Sequence, residues 1–258
     1  MKKLFDRAYL EGSFEKMGRH MTTPVTAYLL GGGAMAFRDQ KPGTKDLDLL
    51  VENRLQAVPL QEAFKQTGFS PVKKLDEAYT RMGVTGGVWE NADEFRIDLF
   101  VRVVVNKLHL TETIKQRSTA LLGSFGNLHV KSVSNEDVAL FKSVTGRPND
   151  TADMAAIIRQ TPFNWSTLLS ECALQSETRT WQGPMLESIR DLKERFGIDA
   201  PITRKLESMN KDNIIKDAYK IKLAKGLTPK EAIDEFVDPG FPRKKILKVV
   251  SSFNGNQP

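Results

Sequence analysis

Residues 25–30 (VTAYLL) form an apolar, β-rich run that stops at three consecutive glycines, Gly31, Gly32 and Gly33. Such a run reads as a strand ending in a turn. Glycines there let the backbone come close to a ligand. The helix-forming residues 34–38 that follow would present free N–H groups to an anion. Residues 39–43 read as a loop. Residues 47–51 (LDLLV) read as a second strand, and 56–67 as an amphipathic helix closed by Gly68. Residues 81–89 read as a glycine-interrupted strand, 95–105 (FRIDLFVRVVV) as the most strand-like run in the chain, and 128–133 as one more.

The character changes at Ser134. Ser134 with Asp137 three residues on marks a helix start, and Gly146-Arg147-Pro148 its end. Further helices are expected from Asp150 or Thr151 to about 160, and over 165–175, 185–196, 211–225, 229–236 and 243–251. Thr228-Pro229-Lys230-Glu231 is a capping box, and Asp238-Pro239-Gly240 a turn. These patterns predict an α+β chain of two domains: residues 1–133 with a mixed sheet flanked by helices, and residues 134–258 helical. The length of 258 residues and the hydrophobic fraction of 40% are enough for a sizeable core.

Three carboxylates stand in or beside the strands. Asp46 and Asp48 lie two residues apart, so on a strand both point to one side. Asp98 is a lone acid inside an apolar run, where burial without a partner is costly. Taken singly, a glycine run is a turn and an Asp-x-Asp pair a solvated surface. In this order the features belong together: neighbouring strands would place three carboxylates side by side, and hard cations such as Mg²⁺ bind such oxygens. Three carboxylates suit a two-metal site for in-line displacement at phosphorus.

The string LLGGGAMAFRDQKPGTKDLDLLV resembles the nucleotidyltransferase signature of the DNA polymerase β-like superfamily, and is closer to the minimal nucleotidyltransferases of AbiEii-like toxin–antitoxin systems. The resemblance covers roughly residues 25–160. It implies a polymerase-β-like nucleotidyltransferase domain followed by a helical domain that closes the site. It also implies transfer of NMP from an NTP to an acceptor hydroxyl, with two Mg²⁺ ions, or Mn²⁺ in their place. By the resemblance, Gly32 and Gly33 match the triphosphate-binding turn, Asp46 and Asp48 the metal pair, and Asp98 the third carboxylate, which ligates metal and serves the attacking hydroxyl. The second turn residue is glycine where the polymerases have serine, so backbone N–H groups replace a hydroxyl. Lys142 matches an inward lysine for the β- and γ-phosphates, with Asp150 or Asp153 orienting it and Arg147 adding a second cation. Thr44 and Lys45, beside the Asp pair, are candidates for phosphate or base contact. Arg38 is read as solvated, with a phosphate contact as the alternative.

The acceptor implied by the same branch is RNA, at the 3′ end of tRNA, with a cognate antitoxin protein as partner. The chain carries a net charge of +6. From Arg190 onward there are 15 Lys+Arg against 10 Asp+Glu, a surplus of +5, so basic helices could track a phosphate backbone. Two other readings stand beside this one: a non-catalytic nucleotide- or partner-binding regulator, antitoxin-like, of the same fold, and a phosphotransferase using the γ-phosphate. The histidines His20, His109 and His129 have no zinc spacing. The one cysteine, Cys172, reads as a core residue, and its isolation points to a reducing, cytoplasmic setting. Neither a secretory signal nor an apolar run long enough to span a membrane is expected.

Overall fold

The computed structural model describes residues 3–254, save 76, 120–123, 148, 161, 177–179 and 237–240. The elements in order are α1 (Arg7–Arg19), β1 (Val25–Leu29), α2 (Gly31–Phe37), β2 (Asp46–Val51), α3 (Arg54–Gln66), β3 (Ser70–Pro71), α4 (Glu77–Met82), β4 (Val88–Glu90), β5 (Arg96–Val101), β6 (Val103–Val104) and β7 (Leu108–His109). Then come α5 (Glu112–Arg117), β8 (Ser124–Phe125), β9 (Leu128–Ser132), α6 (Asn135–Thr145), α7 (Asp150–Gln160), α8 (Trp165–Gln175), α9 (Gln182–Phe196), α10 (Thr203–Ala224), α11 (Pro229–Asp234) and α12 (Arg243–Asn254). The class is α+β: a mixed sheet flanked by helices, then a helical C-terminal part.

The sheet has seven strands in the order β3-β4-β5-β2-β1-β9-β8. β2 runs parallel to β5 and antiparallel to β1, and β1 runs parallel to β9. Adjacent residues are buried along most of β1, the second half of β2 and the middle of β5, so both faces are covered there, which is why 25–30 and 47–51 read as nearly continuous apolar runs. α3 packs over β1, β2 and β5, and α6 packs against α2, α7, α8 and α9. One apolar core runs from Phe5 through the sheet and the helices as far as Leu206. A smaller one joins Ile215 and Tyr219 of α10 to Ala232, Phe236, Ile246, Val249 and Val250. Strands give way to helices where β9 ends at Ser132 and α6 begins, its N-cap Ser134 accepting from the Asp137 N–H.

Several expectations change. Residues 81–89 are not one strand: α4 runs to Met82, and only Val88–Glu90 pairs. Gly83 and Gly87 are left-handed, at φ +61° and +88°, and they break the extended path. The run 95–105 is also divided. β5 ends at Val101, Arg102 turns to φ +64°, and the chain enters the small β6–β7 hairpin. α10 begins at Thr203, well before residue 211. α1, capped by Asp6, and α5, capped by Thr111, were not anticipated. The expected turn at 238–240 and Pro148 lie outside the described residues. Among the described residues no helix is long and apolar enough to cross a membrane.

Candidate active site

The site starts from strand register. β2 pairs with β5 so that Asp48 stands opposite Asp98 and Asp46 opposite Arg96. Side chains alternate along a strand, so Asp46 and Asp48 leave β2 on the face that Asp98 leaves β5. On its other side Asp98 faces Val88 of β4. Asp98 is 2% exposed, and its Oδ1 has no hydrogen-bond partner. Burial, followed by the charges of Asp48 and Asp46, pushes the Asp98 carboxyl up to about 8. Burial and the charge of Asp46 push Asp48 up to about 6. A cation among these three acids would favour their charged forms.

Among the described residues, no three His, Cys, Asp or Glu side chains are already drawn together as a metal-ligand set. The aspartates share one face and one electrostatic neighbourhood. Their all-oxygen donor set fits Mg²⁺, which keeps several waters and takes few carboxylates.

The glycine turn closes on the same carboxylate. The Leu30 N–H donates to the Asp48 carbonyl at 3.0 Å, which brings the start of α2 over β2. Gly31 has φ +55°, and a Cβ there would lie 2.1 Å from Asp48 Oδ2. Only glycine leaves room for that carboxylate. A Cβ on Gly32 would meet Thr44 Oγ1 at 2.5 Å. Gly33 is packed against Leu47 and Leu29 of the core, at 2.8 and 2.9 Å from the same notional atom. The resemblance gave roles to Gly32 and Gly33 and none to Gly31. Its signal was present, since it is the first glycine after the strand.

A cavity of about 330 Å³ opens above Asp48 and Gly31. Leu30, Phe100, Val104, Val138 and Phe141 make its apolar wall, and Lys142, Thr145 and Arg147 its charged and polar end. Lys142 projects from α6 and is held between two acids of α7, Asp150 at 2.9 Å and Asp153 at 2.6 Å. Lys41 shares Asp153 at 2.6 Å. Arg147 meets Asp150 at 3.2 Å. Burial works against the charge of Lys142, but Asp153 and Asp150 outweigh it and hold its pKa above the ordinary lysine range. Arg147 and Lys142 in turn favour the charged form of Asp48. The structure thus brings together Asp46, Asp48, Asp98, Lys142, Arg147, Asp150 and Asp153 from two separate stretches of the chain.

Other expected residues are placed differently from the expectation. The Thr44 hydroxyl donates to the Asp46 carbonyl at 2.9 Å, and Thr44 is buried, so it fixes the start of β2. Lys45 is exposed and lines a different cavity, beyond Asp46. Arg38 is not solvated: it is half-buried and donates to the Val133 carbonyl. Cys172 is buried, and burial pushes its thiol up to about 12, as a core residue rather than a nucleophile requires.

No family model matches the sequence, and no curated protein matches it. Among solved structures, the chain is similar to an antigenic nucleotidyltransferase-like protein from Paracoccidioides brasiliensis, with a TM-score of 0.45 and 13% identity over 80% of this chain and 95% of that one.

Proposed function

We propose that this protein is a metal-dependent nucleotidyltransferase, moving NMP from an NTP to an acceptor hydroxyl. The observation that carries the reading is the register of β2 and β5. It sets Asp48 beside Asp98, with Asp46 on the same face, under a cavity whose far end holds Lys142 and Arg147. A binding module gains nothing from three acids that repel one another, whereas a phosphate-handling site needs them.

Asp46, Asp48 and Asp98 would hold two Mg²⁺ ions, which supply charge neutralisation at the phosphate oxygens. Lys142, kept protonated and aimed by Asp150 and Asp153, meets the β- and γ-phosphates as a point charge. Arg147 adds a second cation at the leaving group. The apolar wall takes the base or sugar. Asp98, whose charged form the bound cations would favour, receives the proton of the acceptor hydroxyl as the hydroxyl oxygen bonds to the α-phosphorus. The bond from the α-phosphorus to the bridging oxygen breaks, and pyrophosphate leaves with the electron pair. Catalysis is then mostly positioning and charge stabilisation.

We assign the acceptor to RNA, the 3′ end of tRNA, with an antitoxin protein as partner. The resemblance of the glycine–aspartate string and the basic last quarter support that assignment. The test incubates the protein with Mg²⁺, total tRNA and each α-³²P-NTP in turn, beside Asp48→Ala. Label in RNA that disappears in the variant and with EDTA supports the reading. Release of NDP instead of pyrophosphate moves the attack to the γ-phosphorus and overturns it. Pyrophosphate with unlabelled RNA overturns the RNA acceptor alone.

A further inference from the structure

A second cavity, of about 280 Å³, lies on the other side of Asp46 from the first. Lys3, Lys45, Tyr79, Glu94 and Arg96 line it, together with Asp46 and Glu90. The sheet explains its position. Glu90, Arg96 and Asp46 stand side by side across β4, β5 and β2, one rank along from Val88, Asp98 and Asp48. Asp48 therefore faces the first cavity and Asp46 the second, with Asp98 in the rank beside them. Arg96 is clamped by Glu90 and hydrogen-bonded to Tyr79, its guanidinium 5.7 Å from the centre of the tyrosine ring. The pair is a fixed cation beside a flat aromatic wall.

We propose that this second cavity receives the acceptor, and that it selects a hydroxyl compound carrying phosphate. The inference rests on the nucleotidyltransferase reading and deepens it. In-line displacement requires the acceptor oxygen to arrive opposite the departing pyrophosphate. Lys142 and Arg147 hold the phosphates on the side of the first cavity, so the acceptor enters from the side of Asp46. Charge then chooses its class. Glu90 is occupied by Arg96, and Asp46 would be taken by a cation shared with Asp48 and Asp98. With the Glu90–Arg96 pair set aside, Lys45 and Lys3, the latter only loosely tied to Asp93 at 3.8 Å, outnumber Glu94. That balance favours an anion and disfavours a polycationic polyol. A volume near the lower bound of small-molecule sites admits one terminal unit and not a length of duplex. Tyr79 offers a ring face to a sugar or base.

The test is calorimetric binding to the full chain with Mg²⁺ and the α,β-methylene analogue of each NTP in turn. Three probes are titrated: the trinucleotide CpCpA, ribose 5-phosphate and kanamycin, a phosphate-free cationic polyol. The expected result is binding of a phosphorylated probe, weakened at least about tenfold in Lys3→Glu/Lys45→Glu, with analogue affinity within about twofold of wild type. Binding of CpCpA alone identifies an RNA end, and binding of ribose 5-phosphate a small phosphorylated metabolite. Kanamycin binding, no probe binding, or phosphorylated-probe binding unchanged in the double variant overturns the proposal. Failure of all four analogues to bind overturns the nucleotidyltransferase reading itself, and is seen before any probe is added.

Discussion

Two atoms decide the chemistry at the smallest scale: the missing Cβ of Gly31 and the unpartnered Oδ1 of Asp98. A methyl group at Gly31 would fall 2.1 Å from Asp48 Oδ2, on a residue whose φ of +55° already disfavours a side chain. Gly31→Ala is expected to cost about 1–2 kcal/mol in stability. It should also lower kcat/KM at least about 100-fold by displacing the carboxylate, since misplacement by about 1 Å carries that penalty. Urea denaturation and the labelling assay read the two effects separately. Asp98 gives a prediction in pH. Its carboxyl is raised from 3.8 to about 8 by burial and its acidic neighbours. Between those values the folded chain holds a proton that the unfolded chain releases, so its contribution to stability is lost as pH rises through the window. Without divalent metal, Tm is expected to fall from pH 5 to pH 8 more in wild type than in Asp98→Asn, by at least about 2–4 °C. Mg²⁺ should narrow that difference. Equal pH dependence in the two proteins would mean that Asp98 is not held protonated.

Elements divide sharply into those the sequence announces and those it hides. α8 was read as 165–175 and is Trp165–Gln175, because a cap, an apolar period and a tertiary face all agree there. β1 and β2 were equally plain, since buried central strands are nearly continuously apolar, whereas β9 (LHVKS) shows the alternation of a half-buried strand. The three aspartates were legible from spacing and order. Asp150 and Asp153, the partners of Lys142, were visible only through the resemblance, because an ion pair between α6 and α7 has no local signature. Gly31 was indistinguishable from its neighbours until the fold showed which glycine met a carboxylate. The break at Arg102 was hidden too, since nothing in FRIDLFVRVVV announces a left-handed arginine. The hairpin it introduces is strained. The Lys107 N–H donates to the Val104 carbonyl at 2.9 Å, and both central residues are left-handed, Val105 at φ +51° and Asn106 at +55°. A β-branched residue there is an outlier, and Val105 lines the first cavity. Val105→Asn suits the turn and is expected to raise stability by about 1 kcal/mol. It should also weaken NTP binding by removing part of the apolar wall. A variant that gains stability with no change in NTP affinity would detach this hairpin from nucleotide recognition.

At the scale of the whole molecule, charge and packing are distributed unevenly in the same place. The three aspartates sit on strands of the large core, while α11, α12 and the second half of α10 gather around their own apolar cluster. That part carries most of the positive surplus, and some of it is neutralised locally. Lys222 pairs with Glu235 at 2.7 Å, Arg243 with Asp234 at 2.7 Å and Lys245 with Asp212 at 3.0 Å. Lys244 and Lys248, four residues apart on one face of α12, are exposed. If this helix tracks an RNA backbone, each lysine releases counterions on binding and the dependence of log K on log salt is steep. Lys244→Glu/Lys248→Glu is expected to flatten that slope for tRNA by about 1.4, roughly 0.7 for each lost phosphate contact. NTP affinity should stay unchanged, because these lysines belong to the second cluster and line neither cavity. Filter binding of tRNA across a salt series measures the slope. An unchanged slope would move the RNA contact off α12 and leave the acceptor cavity beside Asp46 to hold its substrate without help from the basic helices.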